Sequence, residues 1–258
     1  MNSFYRGKIS GGEVTRMFHG GGEMKNKTIR VNGEDYTFLV KRDISVETGL
    51  PVYAILRNQP DKNGYRPCLK GEVEEDNPSY FYIFNINKNR HCGVPYVDKK
   101  LTRRMIELIA KLLRENEDGV KWIRLYDNAG IQREDGNNIF ISDMNALRGR
   151  MPFYVELGFE ASDKVVNNDI IRNMDIVGKS DGFVLEDFIH FMEGDNGINM
   201  REYCMRKPIE LPSRGISIKR AMTYLLNEHY DLLYPYIDRI MLKYKLISVV
   251  EKCFIRAV

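Results

Sequence analysis

The sequence predicts an α+β fold: a mixed central sheet with one crossover helix, plus a C-terminal helical extension. Three observations carry this. Short β-branched and aromatic runs separated by turn signals fill residues 27–86. One long amphipathic stretch, DKKLTRRMIELIAKLLREN, then leads into a further apolar run, VKWIRLYD, so that strand, helix and strand form a crossover unit. Beyond Asp163 the character changes again, and most segments that follow have helical spacing.

Residues 1–26 lack apolar periodicity, and Gly20, Gly21 and Gly22 mark them as a flexible N-terminal segment. KTIRVNGEDYTFLVKRD reads as a hairpin, because Asn32 and Gly33 both tolerate positive φ. PVYAILRN is the next strand, PDKNG a turn, and YRPCLKGEVEED another strand with Pro67 near its start. SYFYIFNIN is a buried strand, and short turns make the run an antiparallel meander. In the helix, Leu101, Met105, Leu108, Ile109, Leu112 and Leu113 form one stripe. Asp98 is its expected N-cap, and Asn116 and Gly119 its stop signals.

IQREDGNN reads as a polar loop. Asp143 is expected to cap a helix over about 144–157, which Pro152 divides into two pieces. Gly158 fits the position after a helix, and Phe159 opens a strand. The α/β domain therefore spans 27–163 and the helical extension or small domain 164–258. Within the latter, VVNNDIIRNMDIVGKSDG reads as loop-rich. VLEDFIHFME, ISIKRAMTYLLNEHY and DLLYPYIDRIMLKYKLISVVEKCFIRAV read as helices, with Pro235 confined to a first turn.

A net charge of +3 in 258 residues, spread along the chain, argues against a nucleic-acid binder. None of Cys68, Cys92, Cys204 and Cys253 forms a CxxC pair, which favours a reducing, cytoplasmic setting. No apolar run approaches the roughly 20 residues that span a bilayer, so no membrane partner is expected. His19, His190 and His229 are isolated, and no metal site is expected.

Chemistry concentrates at the turn between SYFYIFNIN and the long helix. Arg90, His91, Cys92, Gly93, Val94 and Pro95 lead into a helix N-terminus, whose unpaired N–H groups favour anions. Lys99, Lys100, Arg103 and Arg104 follow, and cations there oppose the helix dipole unless an anion is bound. Glu72, Glu74 and Glu75 are candidate general bases by position, and Asp127 and Asn128 end the second strand of the crossover.

The stretch from about 79 to 160 resembles the core of the GCN5-related N-acetyltransferases (the GNAT superfamily). Arg90-x-x-Gly93-x-Pro95 matches two of the three positions of that family's R/Q-x-x-G-x-G/A turn. Asn145-Ala146 followed by Phe153-Tyr154-Val155-Glu156-Leu157-Gly158-Phe159 is similar to its FYxxLGF-type ending. Pro95 stands where the family has a small residue, and it removes an N–H. The resemblance implies acetyl-CoA as cofactor, its pyrophosphate held by Arg90, His91, Cys92, Gly93 and Val94 with Lys99 and Lys100 nearby. It implies direct attack by an amine-bearing acceptor, with Tyr154 protonating the departing thiolate. The alternative is a non-catalytic GNAT-like interaction protein that docks a protein partner through its C-terminal helices.

Overall fold

The computed structural model describes residues 22–31, 34–56, 67–86, 99–127, 130–132, 138–194 and 197–258. In chain order the first elements are β1 (Glu23–Val31), β2 (Glu34–Ile44), β3 (Pro51–Leu56), β4 (Pro67–Val73), β5 (Tyr80–Ile86), α1 (Lys99–Asn116) and β6 (Trp122–Tyr126). There follow β7 (Gly130–Gln132), β8 (Asn138–Phe140), α2 (Ile141–Leu147), α3 (Phe153–Glu156) and β9 (Glu160–Ala161). The rest are α4 (Lys164–Gly178), α5 (Leu185–Gly194), α6 (Met200–Arg206), α7 (Ile218–Glu228), α8 (Tyr230–Leu233), α9 (Ile237–Lys243) and β10 (Cys253–Ala257). The α+β class is as expected. No described helix is long and apolar enough to cross a membrane.

The chain forms two compact units, a sheet unit with α1 and a helical unit. The described part of Asp127–Glu156 clusters with the helices, and Cys253–Val258 clusters with the sheet. The open sheet has the order β1-β2-β3-β4-β5-β6-β10-β9 among the described residues. β1 to β5 form the expected antiparallel meander. β5 and β6 are parallel across α1, the expected crossover, and β10 runs antiparallel to β6. Glu23–Asn26, expected within a flexible segment, belong to β1, which pairs with β2 along its whole length. Asn32, Gly33 and Asp98 lie outside the described residues.

Period two sorts the strand side chains onto two faces. Tyr53, Ile55, Leu69, Val73, Phe81, Ile83, Ile123, Leu125 and Phe254 form an apolar face and are buried. α1 buries Met105, Leu108, Ile109, Leu112 and Leu113, the stripe read from the sequence. Its last turn closes as Asn116 Nδ2 donates to the Leu112 carbonyl at 2.7 Å. Glu117, just beyond, ties that end to the apolar face. Tyr53 Oη donates to Glu117 Oε1 at 2.7 Å, and Arg42 Nε and Nη2 donate to the same oxygen at 3.1 and 2.9 Å. Gly71 is required on this face, because a Cβ there would lie 2.5 Å from Phe81 Cε1 and 2.5 Å from the Tyr82 carbonyl oxygen. Cys68 in β4 is buried and disulfide-bonded, a state outside the reducing setting expected from the cysteine spacing.

The helical unit is built around Leu147, Val177, Phe183, Phe188, Met192, Met222, Leu225, Leu233 and Ile240, all inaccessible to solvent. VVNNDIIRNMDIVG, expected as loop, is α4: the Asp163 carboxylate accepts from Val165 N at 2.8 Å and caps it. Helix 144–157 is indeed two pieces, α2 and α3, but Asp143 lies inside the first turn of α2 rather than capping it. The C-terminal stretch is not one helix. Pro235 sits at the start of a 3-10 turn (Tyr234–Tyr236), Lys245 and Glu251 adopt φ of 55° and 59°, and Cys253–Ala257 form a strand. Of IQREDGNN, read as a loop, Ile131 and Gln132 belong to β7 and Asn138 to β8, which pair antiparallel.

Asn173, buried on α4, clamps the segment after α9. Its Nδ2 donates to the Ile247 carbonyl at 2.7 Å, and its Oδ1 accepts from Ile247 N at 3.0 Å. Asn173→Ala would leave both peptide groups without partners, and about 2–4 kcal/mol of stability should be lost in urea melts. Asn173→Asp, which keeps the acceptor but not the donor, should fall between the two.

Candidate functional site

β5 and β6 pair through only three residues: Tyr80 with Trp122, Phe81 with Ile123, and Tyr82 with Arg124. Yet β5 continues to Ile86 and β6 to Tyr126. Beyond Tyr82 and Arg124 the two parallel strands part, at their C-terminal ends, on the side where the connection into α1 leaves β5. Open α/β sheets characteristically place ligands outside the carboxyl ends of their strands.

The face opposite the apolar one carries the charge. Register aligns Asp43, Val52, Glu72, Tyr82 and Arg124 in one row across β2 to β6, and Lys41, Ala54 and Lys70 in the row beside it. Lys41 pairs with Asp43 at 3.0 Å. Lys70, inaccessible to solvent, places its ammonium 5.3 Å from the centre of the Phe84 ring, and burial lowers its pKa. Burial pushes the Glu72 carboxyl up from the usual range; nearby Lys70 opposes this and Glu47 adds to it. Arg124 Nη1 donates to both oxygens of Glu74, at 3.1 and 2.8 Å, and its guanidinium lies 4.2 Å from the Tyr80 ring centre. At the parting of the strands, the rings of Tyr82 and Tyr126 meet edge-on at 5.7 Å.

Of the residues singled out in the sequence, Glu72 and Glu74 fall on this face, with Glu75 exposed just beyond β4. Arg90, His91, Cys92, Gly93, Val94, Pro95 and Asn128 lie outside the described residues. Lys99 and Lys100 are the first two residues of α1. Arg103 is exposed and Arg104 buried.

Tyr154 belongs to the helical unit. It is buried in α3, its ring 5.4 Å from that of Phe153, and burial, reinforced by the negative charge of Asp127, raises its pKa. Asp127 is itself buried; its N–H donates to the Lys252 carbonyl at 3.1 Å, and its carbonyl accepts from Glu251 N at 3.0 Å. His229 is not isolated. Tyr203 Oη lies 3.0 Å from its Nδ1 and Tyr224 Oη 3.3 Å from its Nε2, and burial lowers its pKa. Sequence reasoning missed Lys41, Asp43, Lys70, Tyr82 and Arg124. The signal was there in part, as polar residues two apart on strands whose other face is apolar. Among the described residues, no three His, Cys, Asp or Glu are grouped to hold a metal ion.

In comparisons with known proteins, no family model, no curated protein and no solved structure matches the chain.

Asp143 is a second buried acid of the helical unit, and burial pushes its carboxyl up to about 6; a hydrogen bond from Ser248 opposes this, and the charge of Asp238 adds to it. The folded value lies above the ordinary 3.8. The protonated form is therefore favoured by folding, and its contribution is complete below the unfolded pKa and lost as pH rises through about 6. Between pH 4 and pH 7, stability measured by urea melts should fall by about 2 kcal/mol relative to Asp143→Asn, which lacks the titration.

Proposed function

We propose that the protein is an acyl-CoA-dependent N-acyltransferase, with acetyl transfer to an amine as its reaction. The observation that carries the reading is the three-residue parallel pairing of β5 and β6, after which the strands part beside the connection to α1. An extended thioester arm can lie between such strands, using main-chain groups that have lost their cross-strand partner. By resemblance, the pattern around Arg90 and Gly93 would hold the pyrophosphate, and α1 carries no acidic residue in its first turn to repel phosphate.

Glu72 is the proposed base. Burial holds its carboxyl above the usual range, closer to the pH at which a base that deprotonates an ammonium is most effective. The amine nitrogen attacks the thioester carbonyl carbon and a tetrahedral oxyanion forms. The C–S bond then breaks, and the thiolate leaves, taking a proton from solvent. No covalent enzyme intermediate is needed, since positioning and charge stabilisation lower the barrier.

Acetyl-CoA at about 100-fold above Kd should stabilise the fold by about 2.7 kcal/mol and raise Tm by several degrees, and Gly93→Glu should abolish the gain. No shift at millimolar ligand, with the fold intact by circular dichroism, would overturn the assignment. Glu72→Gln should lower kcat roughly 10²- to 10⁴-fold and remove the acid limb of the pH–rate profile. In the unmodified protein that limb should lie above the ordinary carboxylate range, because activity is lost as Glu72 becomes protonated.

A further inference from the structure

Among the buried polar atoms of the charged face that make no hydrogen bond with the described residues are Glu72 Oε2 and Arg124 Nε. One is an acceptor and the other a donor. They stand on either side of Tyr82 in a single cross-strand row, Glu72 on β4 and Arg124 on β6. β4 and β6 are two strand spacings apart, about 9–10 Å, and both side chains are long enough to lean over the strand between them. An orphaned buried polar atom costs about 1–3 kcal/mol, so a matched pair in one row is a cost that a bound molecule would relieve.

The chemistry of the two atoms defines that molecule. The charge of Arg124 is already met, since its Nη1 holds both oxygens of Glu74. Its free Nε–H therefore suits a neutral carbonyl better than a second carboxylate. Glu72 Oε2 is acceptor-only when ionised and calls for an N–H donor, an amine above all. The row opens at its β6 end, where Trp122 and Tyr126, on the same face as Arg124, are 37% and 41% exposed. An amine with amide carbonyls a few atoms away is the amino end of a peptide.

We infer that the Glu72–Tyr82–Arg124 row binds the amino end of a peptide, Glu72 accepting from the α-amine and Arg124 Nε donating to a backbone carbonyl. The inference rests on the acyltransferase reading for the reaction but not for the binding. In that reaction the peptide amine forms the new C–N bond, the C–S bond of the thioester breaks, and Glu72 takes the amine proton as the thiolate leaves.

Trp122 is the only tryptophan in the chain and lies two residues from Arg124, so its fluorescence reports binding without any acyl donor. Three probes separate the elements: Ala-Gly-Gly amide, its N-acetylated form, which lacks the amine, and butylamine, which lacks the carbonyls. The free tripeptide amide should change Trp122 emission saturably and raise Tm, and the other two should bind at least tenfold more weakly. Arg124→Lys keeps a cation for Glu74 but removes Nε, and should bring the tripeptide down to the level of butylamine. Equal binding of all three probes, no binding of the tripeptide, or an unchanged affinity in Arg124→Lys would overturn the inference. An acetyl-CoA thermal shift on the same samples keeps the two readings apart. Tripeptide binding without that shift sinks the acyltransferase and leaves the peptide site; the shift without tripeptide binding does the reverse.

Discussion

The cross-strand register of the sheet decides where every other group of that unit stands. A slip of one residue in β4 would carry Lys70 and Glu72 to the apolar face and turn Leu69 and Val73 toward the charged one. Several features hold the register in place. The irregularity between Lys70 and Gly71 lets the β4–β5 pairing absorb an extra residue, and Gly71 admits the Phe81 ring against the strand backbone. The Phe81 ring in turn meets Tyr53 edge-on at 6.0 Å, and Tyr53 hands the constraint to Glu117 beyond α1. The same local geometry therefore fixes the helix and presents the charged rows on the opposite side.

Those rows are expensive to bury. An inaccessible lysine beside a half-buried glutamate pays a desolvation penalty that well-packed apolar side chains would avoid. β3 shows the cheaper solution in the same rows, where it contributes Val52 and Ala54. Stability alone gives no reason for β4 and β6 to differ from it. Local rules broken without a stabilising return are characteristic of places that act on something else.

Much of the fold was legible because the sheet strands and α1 obey a single period over their whole length. SYFYIFNIN and the stripe from Leu101 to Leu113 each satisfy one template. The misreadings came where local signals competed. In α4, the asparagines and aspartates of VVNNDIIRNMD mimic a loop, and the Asp163 cap, two residues before the stretch, carried the decisive information. At the C-terminus, EKCFIRAV follows an apolar helical pattern closely enough to extend it, and only the left-handed backbone at Lys245 and Glu251 breaks the run. The charged face was less legible than the fold. Glu72 stood out as an acid near a strand end, but its relation to Tyr82 and Arg124 depends on register between strands far apart in sequence, which no local pattern encodes.

The return of β10 to the flank of β6 has a consequence for how the molecule is made. The edge of β6 is completed by β10, after the whole helical segment has been synthesised. Until then a nascent chain carries an exposed strand edge with Trp122 and Tyr126 on it, a template for pairing with other chains. Because the closing contacts are so distant in sequence, the last step should be slow. Truncation of only the final six residues would leave the meander and α1 intact in composition, yet turn an interior strand of the sheet into an open edge.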